Sequence, residues 1–141
     1  MKNSLQQFIL DTLKPYFQDT DLCGINESGD CEYLTEDGKK CALGKHLKKG
    51  EWQANLCTAT ELFEKYDMNK ILKKSALKFK LTVENWREVQ LIHDWLTMCV
   101  NKEQVIEHIS LLEDELKIDL KELLGTRYFT SVKQDSGTDN Q

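Results

Sequence analysis

Residues 31–44, Cys-Glu-Tyr-Leu-Thr-Glu-Asp-Gly-Lys-Lys-Cys-Ala-Leu-Gly, constrain the chain more than any other stretch. Two short runs flank Asp37-Gly38, and apolar residues fall at alternate positions, which is the signature of a β-hairpin. A loop of Glu36, Asp37 and Gly38, with Gly38 in the left-handed conformation, pairs Tyr33 with Cys41 and Cys31 with Leu43. Cys31, Tyr33, Cys41 and Leu43 then share one face. Glu32, Lys40 and Ala42 take the other, together with Leu34. A slip of one residue would undo this separation. Cys31 and Cys41 become diagonal neighbours, so a disulfide is not the natural outcome. As small apolar side chains they suit a buried face.

Four helical stretches frame the hairpin. In the first, about 5–16, Leu5, Phe8, Ile9, Thr12, Leu13, Tyr16 and Phe17 recur at helical spacing, with Ser4 as a cap and Pro15 expected to stop or kink it. Thr58-x-x-Glu61 reads as a capping box before the second, and Asn101-x-x-Gln104 as a variant box before the fourth. The fourth, about 101–124, is expected to bend near Lys117 and to stop at Gly125. Residues 67–81 suit a helix or a strand equally. The third helix, about 83–100, carries a stripe of Trp86, Val89, His93, Leu96 and Val100, with Arg87, Gln90, Asp94 and Thr97 on a narrow polar strip. Residues 127–132 could add a strand, and 133–141 read as a disordered tail. The expected fold is therefore α+β: about four helices on a small antiparallel hairpin, forming one domain over 1–132. Its hairpin–helix core would hold Cys31, Tyr33, Cys41, Leu43, Trp86 and His93.

Composition narrows the function. The chain has a single proline and no apolar run of membrane-spanning length, so a membrane partner is not expected. The first ten residues lack a leader-like apolar stretch. Five cysteines, an odd number with no Cys-x-x-Cys pair, suit a reducing cytoplasm rather than a disulfide framework. Residues 39–80 hold eleven lysines against four acids, whereas the remainder carries a net charge of −12. The basic middle could meet an anionic partner through Lys73, Lys74, Lys78 and Lys80. No arginine interleaves these lysines and Phe79 is the single aromatic among them, and the chain as a whole is acidic, which argues against nucleic acid.

Cys31-x-Tyr33, then Gly38-Lys39-Lys40-Cys41-Ala42-Leu43-Gly44, then Gln90-Leu91-Ile92-His93-Asp94 together resemble a pattern found in small phage and prophage proteins: C-x-Y, G-x-K-C-A-x-G and L-Q-x-x-H-D. Val89 replaces the first leucine of the last motif. The resemblance implies a bacterial virus or mobile element as the source, and a fold that joins a Cys hairpin to a His-Asp helix. It implies no reaction. Three functions remain. The first is a small cytoplasmic accessory protein of the bacterial host cell that binds, and could inhibit, a host protein. The second is a thiol enzyme with Cys41 or Cys31 as nucleophile and His93 as base. Asp94 would be a poor orienter there, because adjacent helical residues diverge by about 100°. The third is a zinc site of Cys31, Cys41 and His93, with His46 or Cys57 as the fourth ligand, although the spacing is not that of usual zinc motifs. No nucleotide loop or H-E-x-x-H motif occurs. The pattern favours binding without catalysis and commits to no cofactor.

Overall fold

The computed structural model of the chain describes residues 3–23, 33–35, 38–50, 52, 58–97 and 101–130. Its regular elements are helical: α1 (Ser4–Gln18), α2 (Ala59–Lys65), α3 (Met68–Ile71), α4 (Lys74–Leu77), α5 (Val83–Trp95), α6 (Lys102–Leu116) and α7 (Arg127–Thr130). Short 3-10 turns cover Thr20–Leu22, Gly44–His46 and Lys121–Gly125. Among the described residues there is no strand. One isolated antiparallel bridge joins Leu47 to Leu72. The fold is all-α, which overturns the expected α+β architecture and its hairpin.

The failure of the hairpin has a physical cause. A turn does form at Gly38, whose φ is 89°. Gly38 N donates to Thr35 O at 3.1 Å, and Thr35 N donates to Lys39 O at 2.9 Å. No ladder follows. Cys41, Ala42, Leu43 and Gly44 are buried in succession. A hairpin with one face in water buries alternate residues and cannot cover four in a row. The backbone coils instead, with Lys45 N donating to Cys41 O and His46 N to Leu43 O. The helical turn thereby meets amide groups that a strand partner would otherwise have to satisfy. Cys31, Glu32, Glu36 and Asp37 lie outside the described residues, as does the expected tail 133–141.

The helix ends follow their local chemistry. Asn3, not Ser4, caps α1, in a reciprocal box with Gln6. Pro15 sits inside α1 without ending it. It removes one backbone donor, yet Asp19 N still reaches Pro15 O at 3.0 Å. The turn that Pro15 opens buries Tyr16 and Phe17, and that burial holds it. Thr58 and Glu61 form the capping box before α2. Residues 68–77 resolve into two short helices, α3 and α4. The segment 127–130 is helical rather than a strand; it stacks Phe129 on Phe17 and sets Tyr128 edge-on to the same ring.

Helix α5 is central and packs against α6, α2 and α1. Trp86, Val89, Ile92 and His93 are fully buried along it, or nearly so. At the α6 interface Glu88 is hydrogen-bonded to His108, whose ring meets Trp95 at 4.5 Å. Helix α6 does not bend at Lys117 but ends there, with Lys117 as a left-handed C-cap at φ 56°. Leu120 and Leu123, expected on a continuing helix, are buried after this break. Glu113 Oε2 accepts from Leu120 N and fixes the turn.

A non-glycine residue at a left-handed C-cap is strained, and glycine relieves that strain. Lys117→Gly should raise stability by about 0.5–1 kcal/mol. Urea unfolding would show this as a higher midpoint at unchanged slope.

Candidate functional site

Of the residues singled out in the sequence, Tyr33, Cys41, Leu43, Trp86 and His93 are buried together around the junction of the 41–47 segment, α1 and α5. Gln90 is its bridge. Its Oε1 accepts from Leu43 N at 2.9 Å, and its Nε2 donates to Asp94 Oδ1 at 3.0 Å. The same Asp94 Oδ1 lies 2.8 Å from His93 Nδ1. This corrects the expectation that Asp94 is badly placed for His93. The backbone directions diverge, but the short carboxylate arm, held by Gln90 one turn earlier, reaches back to the ring. The polar strip of α5 is thus not a solvated face: Gln90 is buried and Asp94 only partly exposed.

Around this core, Tyr16 Oη donates to Lys40 O, and the Tyr16 ring meets the His93 ring edge-on at 4.7 Å. Lys45 Nζ lies 4.3 Å from the centre of the Tyr16 ring and donates to Thr12 O at 2.9 Å. Burial lowers the Lys45 ammonium below its ordinary pKa and raises the Tyr16 phenol above its own. Cys23 Sγ lies 4.0 Å from His93 O. Tyr33 is buried, and its carbonyl presses on Gly44. A Cβ at Gly44 would stand 2.0 Å from Tyr33 O.

Cys41 is fully enclosed. Its sulfur accepts from Gly44 N at 3.2 Å. Burial, with the Asp94 charge adding to it, pushes its thiol up to about 12. Burial likewise pushes the Cys23 thiol up to about 12, again with Asp94 adding. A nucleophilic cysteine needs the opposite: a lowered pKa and a path to substrate. His93 and Asp94 therefore form an oriented pair, but Cys41 is a protonated packing thiol beside it.

Cys31 and Cys57 lie outside the described residues, so two of the proposed zinc ligands have no geometry here. Among the described residues no group of three histidine, cysteine or acidic side chains is placed to hold a metal ion. His46 is engaged elsewhere. Its Nε2 lies 2.8 Å from Thr12 Oγ1, and its ring packs on Phe8 and Trp86. Burial first, then repulsion from Lys45 and Lys73, pushes its pKa down to about 4.

The four lysines nominated for binding are on the opposite footing. Lys73, Lys74, Lys78 and Lys80 are all exposed, on or beside α4. Lys73 Nζ donates to Lys45 O, and Lys78 Nζ lies 5.2 Å from the centre of the Phe79 ring. Sequence reasoning missed Tyr16, Thr12 and Lys45 as members of the junction. It placed Gln90 on the narrow polar strip and gave it no role, although its spacing of four from Asp94 was a usable signal.

Two predictions follow from this packing. Gly44→Ala should cost about 3 kcal/mol or more, because the new methyl meets the Tyr33 backbone rather than a yielding side chain. Chemical denaturation would measure it. His46 is neutral when folded, with its pKa below the unfolded value of about 6.5, so the unfolded chain binds the extra proton. Its contribution to stability is complete above pH 6.5 and is lost as pH falls towards 4. Over that window the wild type should lose about 1–3 kcal/mol more than His46→Gln, read from denaturation midpoints at each pH. No protein-family model, curated protein or solved structure matches this chain, so its function is argued from the geometry.

Proposed function

We propose that the chain is a small non-enzymatic binding protein that docks on, and blocks, an acidic surface of a host protein. The observation that carries this reading is the charge of residues 68–81. They hold five lysines and no acid, and all five lysines are exposed. Among the described residues none of the five has a carboxylate within ion-pair distance. Folded proteins commonly scatter opposite charges over a surface; a one-signed ridge steers an oppositely charged partner and speeds its encounter.

The enclosure of Cys41 argues for binding over thiol chemistry. The phage or mobile-element source implied by the three motifs suits a protein whose task is to occupy a host component, with the bacterial cytoplasm as its setting. No described helix is long and apolar enough to cross a membrane, which agrees with a partner that is not a bilayer.

The test is capture of host proteins from bacterial lysate by the wild type and by the variant with Lys73, Lys74, Lys78 and Lys80 all changed to glutamate. The variant should lose the captured partner by at least about tenfold at low salt. Wild-type capture should weaken as salt rises. The variant should stay within about 1 kcal/mol of wild-type stability, since exposed charges contribute little. Equal capture by both proteins would overturn the reading.

A further inference from the structure

Beside the lysine ridge, a cavity of about 160 Å³ opens between α3, α4 and the start of α5. Leu72, Ala76, Leu81 and Trp86 line it from within and are buried; Met68 and Leu77, half-buried, line it as well. Lys80 stands at this cavity with φ 55°. As at Lys117, the left-handed lysine closes a helical turn, here with Lys80 N donating to Leu77 O at 3.0 Å, which sets Lys80 at the rim. An apolar space of about 150 Å³ accepts a benzene ring, so this one has room for a phenyl-sized side chain.

We infer that the cavity is the anchor pocket of the ridge: it receives one large apolar side chain from an acidic segment of the partner, while the exposed lysines hold the flanking carboxylates. This rests on the lysine ridge being the docking surface and adds the chemistry of what docks there. Charge complementarity selects the partner. Lys80 and Asn69 line the cavity with its apolar residues, and the segment 68–81 that forms most of its wall carries five exposed lysines and no acid, so a neutral or basic segment carrying the same anchor would be repelled or left unpaired. An apolar anchor in a pocket, ringed by polar contacts, is also where interfaces concentrate their binding energy. The ridge supplies long-range attraction, and the cavity supplies discrimination between acidic segments.

The probe is a blocked peptide of glutamates flanking a single phenylalanine, titrated into methyl-labelled protein beside a control with serine in place of phenylalanine. The phenylalanine peptide should bind about tenfold more tightly or better. Its addition should move the methyl resonances of Leu72, Ala76 and Leu81. Ala76→Leu fills the cavity and should erase the preference; Leu77→Gln, at a half-buried position, should reduce it and serves if the first variant misfolds. Equal affinity for the two peptides would overturn the anchor pocket while leaving the lysine ridge standing. Failure of both peptides to bind at low salt would also overturn it, the ridge itself being judged by the lysate capture. Helix α6 exposes Leu111 and Ile106 beside Glu103, Glu107 and Asp114. Concentration-dependent association abolished by Leu111→Asp would make a second copy the occupant and overturn an external partner.

Discussion

The side-chain amide of Gln90 is the interaction on which the junction depends. One end holds the backbone of the 41–47 segment at Leu43, and the other holds Asp94 against His93. The Leu43 end is buried, where water cannot substitute, and the Asp94 end is partly buried. A buried amide that loses one partner leaves donors and acceptors unmet at a cost of about 1–3 kcal/mol for each group. The geometry is therefore cooperative. Gln90 fixes where the coil begins, the coil brings Gly44 under the Tyr33 backbone, and that approach encloses Cys41. Each contact is satisfied only if the others are.

Much of the helical frame was legible because its signals are local. The capping box at Thr58 and Glu61 and the Asn101 cap are read from single side chains and their nearest amides. The Trp86–His93 stripe has the period of a helix, and its burial follows from that. The hairpin was not legible, because alternation in a short segment is compatible with two structures. Cys41 and Leu43 alternate as a strand would, but Ala42 and Gly44 are small enough to be buried too. What decided the outcome was the cover supplied by α1 and α5 from far away in sequence. Arg127–Thr130 shows the same limit. Its aromatics suit a strand, yet Phe17 of α1 offers them a packing surface that a one-turn helix meets better.

The candidate site divides in the same way. That Cys41, His93 and Tyr33 belong together could be inferred from the motifs, but their state could not. Whether a Cys-His-Asp set is a reactive centre or a packed one turns on burial and on hydrogen-bond direction. Here the sulfur accepts from a backbone amide and its thiol stays protonated, while His93 is oriented by Asp94 within a closed core. The contrast with the lysines is instructive. Their exposure follows from charge alone, because burying several ammonium groups without carboxylates would be prohibitive.

The residues that carry the motif resemblance therefore do something specific: Tyr33, Cys41, Gly44, Gln90, His93 and Asp94 close one loop onto one helix. The lysines of α3 and α4 lie outside the motif. Yet the junction reaches them, because Lys73 N donates to His46 O and Lys48 N to Ile71 O, so the coiled 44–48 segment is tied to the base of the ridge. Holding the loop on α5 thus also sets the position of α3 and α4 over Trp86. The polar junction and the exposed basic surface are two ends of one structural chain.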